Sequence, residues 1–330
     1  MVWKVGQTMN RLKSLPEKRK PKLIKSLSSF KSLLTWLGIG LLRLSSYLPY
    51  SVLMNLGSVV GSLIYKVSPH RREICKINIK LCLDLEDNQL DALVKENFQA
   101  IGRGIFEMAI GWWSSDKRIQ KLDTRLLNKE LLDDAQTGVL VLIKHSTHLE
   151  LDLRLLSQHF DLTGMYKSQT NEAINYVMIQ ARNNYIQGSL TNKEAMKAVR
   201  WIRSGKKFLY AADQDYGLKV SKMIPFFGHK AATVTFPALF LQKDIKIVLA
   251  DVSKVDDKYE IEIKNIDKTM NEEEFLFQMN KTYEEFIKKD PSGYLWMHRR
   301  FKSGQTESFY PKWTSRERRR EKRRLNRNID

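Results

Sequence analysis

The chain has 330 residues, 42% of them hydrophobic and 28% charged, which is enough for one large domain or two small ones and too apolar for a disordered chain. Its 56 Lys and Arg against 37 Asp and Glu leave a net charge of +19, a balance that points to polyanionic partners such as nucleic acid, anionic lipid or a phosphorylated substrate and says nothing about fold. Two cysteines, Cys75 and Cys82, exclude a disulfide scaffold and a four-cysteine zinc site and fit a reducing compartment.

No secretory signal is legible, because the first apolar run begins near Leu33 and no small-residue cleavage site follows, so the N-terminus is expected to be retained. Residues 1–31 carry nine basic residues against the single acid Glu17. Leu33 to Leu48 is then apolar apart from Arg43, and after Pro49 a second apolar stretch runs from Val52 to Tyr65, bounded by Lys66, Arg71 and Arg72. A membrane span needs roughly 20 apolar residues, and each stretch falls short. Basic residues at both ends favour a short hairpin or an interfacial anchor on the cytoplasmic leaflet over a single span. The competing reading makes both stretches buried core helices.

Further on, helices and strands alternate. Phe98, Ile101, Ile105, Met108 and Trp112 recur at three- and four-residue steps, the period of one helical face. Gly138 to Lys144 is short, apolar and β-branched, as a buried strand requires. Ser146 or Thr147 is placed to cap a helix running to about Gln158. Thr191 and Glu194 have capping-box spacing before a helix that Gly205 ends. Lys207 to Ala212, Ile245 to Val252 and Tyr259 to Asn265 read as strands, and Glu272 to Lys289 as a helix stopped by Pro291. The alternation predicts an α/β fold with a mixed, largely parallel sheet flanked by helices. The tail from Arg316 to Arg327 is strongly basic, with eight basic and two acidic residues.

The segment KHSTHLELD, residues 144–152, falls at a strand end, where open α/β sheets place their sites. Three arrangements suit it. His145 in the turn and Glu150 on the first helical turn form a general-base pair, with the carboxylate fixing the tautomer. Alternatively, His148 and Asp152, four apart, form an ordinary surface pair. Metal ligation by His145, His148 and Glu150 matches no standard spacing. Aromatic residues Trp296 and Phe301 are expected in the core.

His-x4-Glu at 145 and 150 resembles the His-x4-Asp/Glu motif of the glycerolipid acyltransferase superfamily. AADQDYG at 211–217, IPFFGHKAAT at 224–233, the Arg182-Asn183 segment and YLWMHRRFKSG at 294–304 are similar, in content and order, to the late acyltransferases of lipid A biosynthesis, as is SPHRREICKINIKLCL at 68–83. The resemblance runs from about Leu33 to Lys302. It departs at Pro291-Ser292-Gly293, where the family often has Pro-Glu-Gln, and after Gly304.

The resemblance implies transfer of a lauroyl or myristoyl group from acyl carrier protein to the 3-hydroxyl of a hydroxyacyl chain on a phosphorylated glucosamine-disaccharide lipid. His145 backed by Glu150 would be the base, Arg182 an anion anchor, Asp213, Gln214 and Asp215 would orient sugar or Arg182, and Arg299 and Arg300 would meet phosphate or carrier protein. Backbone N–H groups are the default expectation for the oxyanion. No metal or cofactor is implied, the protein is expected to be a monomer on anionic lipid at the cytoplasmic face of the inner membrane, and nucleic acid is not expected as a partner. Three segments follow: a basic and apolar anchor over 1–66, a catalytic domain over 67–310 and a basic tail over 311–330. A glycerolipid acceptor of lysophosphatidate type is the alternative; a basic nucleic-acid-binding protein explains the charge but leaves the His145 block idle.

Overall fold

A computed structural model describes residues 30–133, 137–255, 258–305 and 309–310, with Lys18 standing alone. Four helices open the chain: α1 (Phe30–Ser45), α2 (Tyr50–Val67), α3 (Pro69–Cys82) and α4 (Asp87–Trp113), followed by the short α5 (Asp116–Ile119). The rest alternates: β1 (Thr124–Leu127), α6 (Glu130–Asp133), β2 (Val139–Ile143), α7 (Leu149–Leu156), β3 (Leu162–Tyr166), α8 (Glu172–Arg182), β4 (Gly188–Thr191), α9 (Ala195–Arg203), β5 (Lys207–Ala211), β6 (Ser221–Phe226), β7 (His229–Val234), β8 (Lys246–Val255), β9 (Lys258–Asn265) and α10 (Glu272–Lys289).

Seven strands form one sheet in the order β1-β9-β8-β2-β5-β3-β4, parallel at every pairing except β8 with β9. β6 and β7 make a separate antiparallel hairpin. This is the mixed, largely parallel sheet expected from the alternation.

Period two explains why β2 sits at the centre. Leu140 and Leu142 point into one core with Phe208, Ile247 and Phe286, whereas Val139, Val141 and Ile143 point into the opposite one with Leu151, Val248 and Ala250. Every residue of the strand is buried, which requires helices on both faces.

The expected helix over Glu272–Lys289 is α10, started by Asn271, whose side chain accepts from the N–H groups of Glu273 and Glu274. Two expected caps are corrected. Glu194 does accept from Thr191, at 2.9 Å from the amide and 2.8 Å from the hydroxyl, but Thr191 ends β4 and the pair closes the turn before α9. α7 starts after His148 without a side-chain cap, because Ser146 Oγ is turned to the carboxylate of Asp152. Trp296 and Phe301 are buried in the core, as expected.

The two apolar N-terminal stretches are α1 and α2, and each has two characters. α2 packs on α4 so closely that a Cβ on Gly102 would stand 2.1 Å from the carbonyl oxygen of Gly57. On this side Leu53 is fully buried. The other side leaves Val52, Leu56, Val59 and Leu63 exposed at helical spacing, and α1 does the same with Leu37, Leu41 and Leu44. Among the described residues no single helix is long and apolar enough to cross a membrane; α2 and α3 together pass on length and composition but meet at 99°. The basic segments 1–29, apart from Lys18, and 311–330 lie outside the described residues.

Candidate active site

β2 and β5 lie side by side in parallel, with Ile143 opposite Ala211. Two residues beyond each partner stand His145 and Asp213, so strand register alone brings them face to face at the carboxyl edge of the sheet. The Asp213 carboxylate receives both the His145 amide, at 3.1 Å, and the ring, with Nδ1 to Oδ1 at 2.6 Å. Burial alone would push the Asp213 carboxyl up, but the adjacent His145 and the more distant Arg300 hold it at about 2. An ionised carboxylate only accepts, so Nδ1 is the ring nitrogen that carries a proton toward Asp213, and in the neutral tautomer this selects, the lone pair is on Nε2. His145 is 19% exposed while Asp213 is 1% exposed: the acid is sealed in and the imidazole reaches outward.

The loop that carries His145 is pinned on both sides. The amide of Leu295 donates to the His145 carbonyl at 3.1 Å and the amide of Thr147 to the Gly293 carbonyl at 2.7 Å. The partner segment is itself gripped by two buried asparagines: Asn97 Nδ2 donates to the carbonyls of Ser292 and Tyr294, and Asn78 Nδ2 to those of Trp296 and His298. α4 comes close above the loop, because a Cβ on Gly104 would lie 2.0 Å from the Thr147 carbonyl oxygen. The His145 and Thr147 amides are thus both engaged within the fold, so neither is a donor for an oxyanion.

Glu150 is not the carboxylate on His145. It sits on the first turn of α7, facing α4 and α8, where Arg182 Nε donates to Oε2 at 3.1 Å, the terminal guanidinium nitrogen to Oε1 at 2.5 Å, and Trp112 Nε1 to Oε2 at 2.8 Å. No hydrogen bond or ion pair joins it to His145 among the described residues. The same contacts correct the expectation for Arg182. Its fork is committed to a carboxylate rather than presented to an incoming phosphate, and attraction to Glu150 outweighs burial to keep it charged.

His148 and Asp152 are paired, at 2.5 Å through Nδ1, but they are not a surface pair: the residues are 4% and 5% exposed. Burial alone would lower the imidazole pKa, yet Asp152 and, further off, Glu107 raise it to about 9. Ser146 donates to the other oxygen of Asp152, so this carboxylate ties both ends of the loop to α7. A buried ion pair, Lys144 Nζ to Asp251 Oδ1 at 2.6 Å, lies beneath. Among the described residues no group of His, Cys, Asp or Glu side chains is arranged to hold a metal.

The remaining candidates are distributed along the C-terminal block. Asp215 is buried and binds its own chain, accepting from the amide of Gly217 and from the amide and hydroxyl of Ser303. Its amide donates to Nε2 of His298, whose ring burial lowers to about 3 and so keeps neutral. Gln214, between Asp213 and Asp215, is half-buried. Arg300 is a correction: buried, it donates to the Ala232 carbonyl at 2.7 Å and to Thr233 Oγ1 at 3.1 Å, clamping the β6–β7 hairpin to the core. Arg299 is half-buried, with a terminal nitrogen 2.9 Å from His70 Nε2. Sequence reasoning missed Trp112, Asn78, Asn97 and His298; only the buried asparagines gave a signal, as polar residues on an otherwise apolar helical face.

A largely parallel central sheet with a histidine–aspartate pair at its carboxyl edge is the α/β frame on which the candidate site is built. The model of the bacterial lipid A biosynthesis acyltransferase family matches residues 20–303, and the chain belongs to that family. It is an acyltransferase. A lipid A biosynthesis acyltransferase of Haemophilus influenzae is 29% identical over 281 residues, 82% of this chain and 90% of that protein. The lipid A biosynthesis lauroyltransferase of Escherichia coli is 29% identical over 294 residues, covering 86% and 96%, and the palmitoleoyltransferase of the same organism is 28% identical over 279 residues, covering 82% and 91%.

Proposed function

We propose that the protein transfers a fatty acyl group from an acyl carrier protein thioester to the 3-hydroxyl of a hydroxyacyl chain on a phosphorylated glucosamine-disaccharide precursor of lipid A, with His145 as the general base. The observation that carries this reading is the His145–Asp213 pair inside a chain of this family. Nε2 removes the hydroxyl proton as the oxygen attacks the thioester carbonyl, and Asp213 stabilises the imidazolium that forms. The tetrahedral intermediate then collapses, the C–S bond breaks, and the imidazolium returns its proton to the departing sulfur. A thiolate leaves readily, so the same histidine serves both steps.

Asp213 takes the part first assigned to Glu150. Glu150 and Arg182 instead fix the start of α7 against α4 and α8, and so hold the loop of His145 from behind. Relatives named for lauroyl and palmitoleoyl groups support a long saturated or monounsaturated acyl chain. The acceptor is insoluble, and the exposed rows on α1 and α2 would bring the site to the bilayer, at the cytoplasmic face of the inner membrane. Since α2 is also packed into the core, residues 30–67 act as the membrane edge of the catalytic body rather than a separable anchor, and the basic segments 1–31 and 311–330 add attraction to anionic lipid and to the acidic carrier protein. The test is lipid A mass spectrometry of cells with and without the gene: loss of one acyl group on deletion supports the reading, and unchanged acyl number refutes it.

A further inference from the structure

Acyl transfer puts negative charge on the former thioester oxygen, and the His145 and Thr147 amides are already spent within the fold, so its donor has to come from elsewhere. The segment that clasps the His145 loop supplies one. The Leu295 amide donates to the His145 carbonyl, and the His298 amide donates in turn to the Leu295 carbonyl at 3.3 Å, so His298 stands one tight turn from that loop. Its ring is tied to the same short strip of chain as the ring of His145. Asp213 holds Nδ1 of His145, while the amide of Asp215, two residues and at most about 7 Å further along, donates to Nε2 of His298 at 3.1 Å. Asp213 and His145 both act electrostatically on the His298 ring, which places the two imidazoles in one pocket.

The two clasps select opposite tautomers. A carboxylate only accepts, so the neutral His145 ring has its lone pair on Nε2; a backbone amide only donates, so it occupies the lone pair of His298 and puts that ring's proton on Nδ1. Burial, opposed by Asp213 and helped by Lys302, His145 and Arg300, lowers the His298 ring to about 3, so it carries no second proton near pH 7. Its Nδ1–H has no hydrogen-bond partner among the described residues, and the residue is half-buried, so unlike the sealed Nε2 of His148 this group is open to an incoming atom. The ring is also held in place from behind, because Asn78 grips the His298 carbonyl at 2.7 Å.

We propose that the Nδ1–H of His298 is the oxyanion donor of the transfer reaction, so that the 213–215 strip presents a base and a neutral donor to the same substrate. As the acceptor oxygen bonds to the thioester carbon, His145 takes its proton and the C=O π pair moves onto oxygen against Nδ1–H. The His298 proton stays on nitrogen, and the pair returns as the C–S bond breaks. The inference rests on the acyltransferase reading, and two substitutions in the full chain separate the donor from the clasp. Asparagine carries an N–H at the place of Nδ1 but does not reach the Asp215 amide; glutamine reaches that amide with its carbonyl oxygen and offers no N–H at the place of Nδ1. His298→Asn should keep kcat within tenfold of wild type, whereas His298→Gln, with an unchanged urea midpoint, should lose roughly 10²–10³ in kcat with both KM values within twofold. A kcat for His298→Asn no higher than for His298→Gln overturns the proposal and leaves His298 a clasp. Without any turnover, nitrogen-15 spectra assigned with His298→Asn should show a neutral ring with its proton on Nδ1 from pH 8 to 5, and a proton on Nε2 overturns the proposal whatever the activity. If the tautomer is as stated and the wild-type protein transfers no acyl group, the acyltransferase reading is what fails, and the oxyanion role falls with it.

Discussion

His145 and Asp213, 68 residues apart, are joined twice, backbone amide to Oδ2 and ring to Oδ1, because each lies two residues past the paired ends of adjacent parallel strands. The double contact fixes both the position and the tautomer of the imidazole. Asp213→Asn keeps the shape and removes the charge that stabilises the imidazolium. We expect kcat to fall by roughly 10²–10⁴ for His145→Ala, the usual worth of a positioned base, and by a smaller factor for Asp213→Asn. Circular dichroism and the denaturation midpoint of His145→Ala should match wild type; activity of Asp213→Asn equal to wild type would remove the aspartate from the mechanism.

The Glu150–Arg182 pair makes a different prediction, in stability before chemistry. Removing either partner strands a charge that is largely buried, with side chains 14% and 10% exposed, at a cost of roughly 3–5 kcal/mol. Glu150→Gln and Arg182→Met should each lower the urea midpoint, and the double variant should be less destabilised than the sum of the two. Strict additivity would mean the pair is not coupled.

How much of this was open to reading from the sequence depends on range. GVLVLI announces a buried strand, and β2 lies there; the ends of α10 were also legible, because the segment's composition and Pro291 are local signals. β3 and β4 were not: they are short and contain Gly164, Gly188 and Ser189, residues with weak strand preference, and only pairing with β5 and with each other makes them strands. The family motif singles out His145, which stands at the carboxyl edge of the sheet, but spacing favours the carboxylate five residues away over one 68 away. Which carboxylate reaches the ring is decided by β2 lying next to β5, a fact of strand order. The burial of His148 was equally hidden, since it depends on α4 approaching the loop over Gly104.

Gly104 therefore tests the link between packing and site. A methyl there must displace the Thr147 backbone, and overpacking of this kind costs about 1–3 kcal/mol. Gly104→Ala should lose activity out of proportion to its loss of stability, with the denaturation midpoint still well above the assay temperature. Full activity would show that the loop tolerates displacement.

His148 should make stability depend on alkaline pH. Its folded pKa, about 9, stands above the ordinary 6.5, so its contribution is complete below pH 6.5 and is lost as pH rises through 9. The amount at stake is on the order of 3 kcal/mol. Urea midpoints measured from pH 6 to 10 should decline over that window for wild type, and the decline should be largely absent in His148→Gln. The same slope in both proteins would assign it to other groups.

The exposed rows carry the membrane proposal. Changing Leu41, Leu44, Val59 and Leu63 together to Gln leaves the core untouched, since all four are at least 56% exposed. Sedimentation with anionic vesicles should fall at least tenfold while transfer to detergent-dispersed acceptor persists. Undiminished vesicle binding would place the contact elsewhere.

The most direct measurement is acyl transfer by the purified protein, followed by mass spectrometry of the lipid product with acyl carrier protein thioester and lipid A precursor as substrates. The wild-type protein should add the mass of one acyl group, and the His145→Ala variant, folded to the same midpoint, should add none above background. No mass gain with wild type, or a His145→Ala rate within a few-fold of it, would contradict the assignment of His145 as the base for acyl transfer.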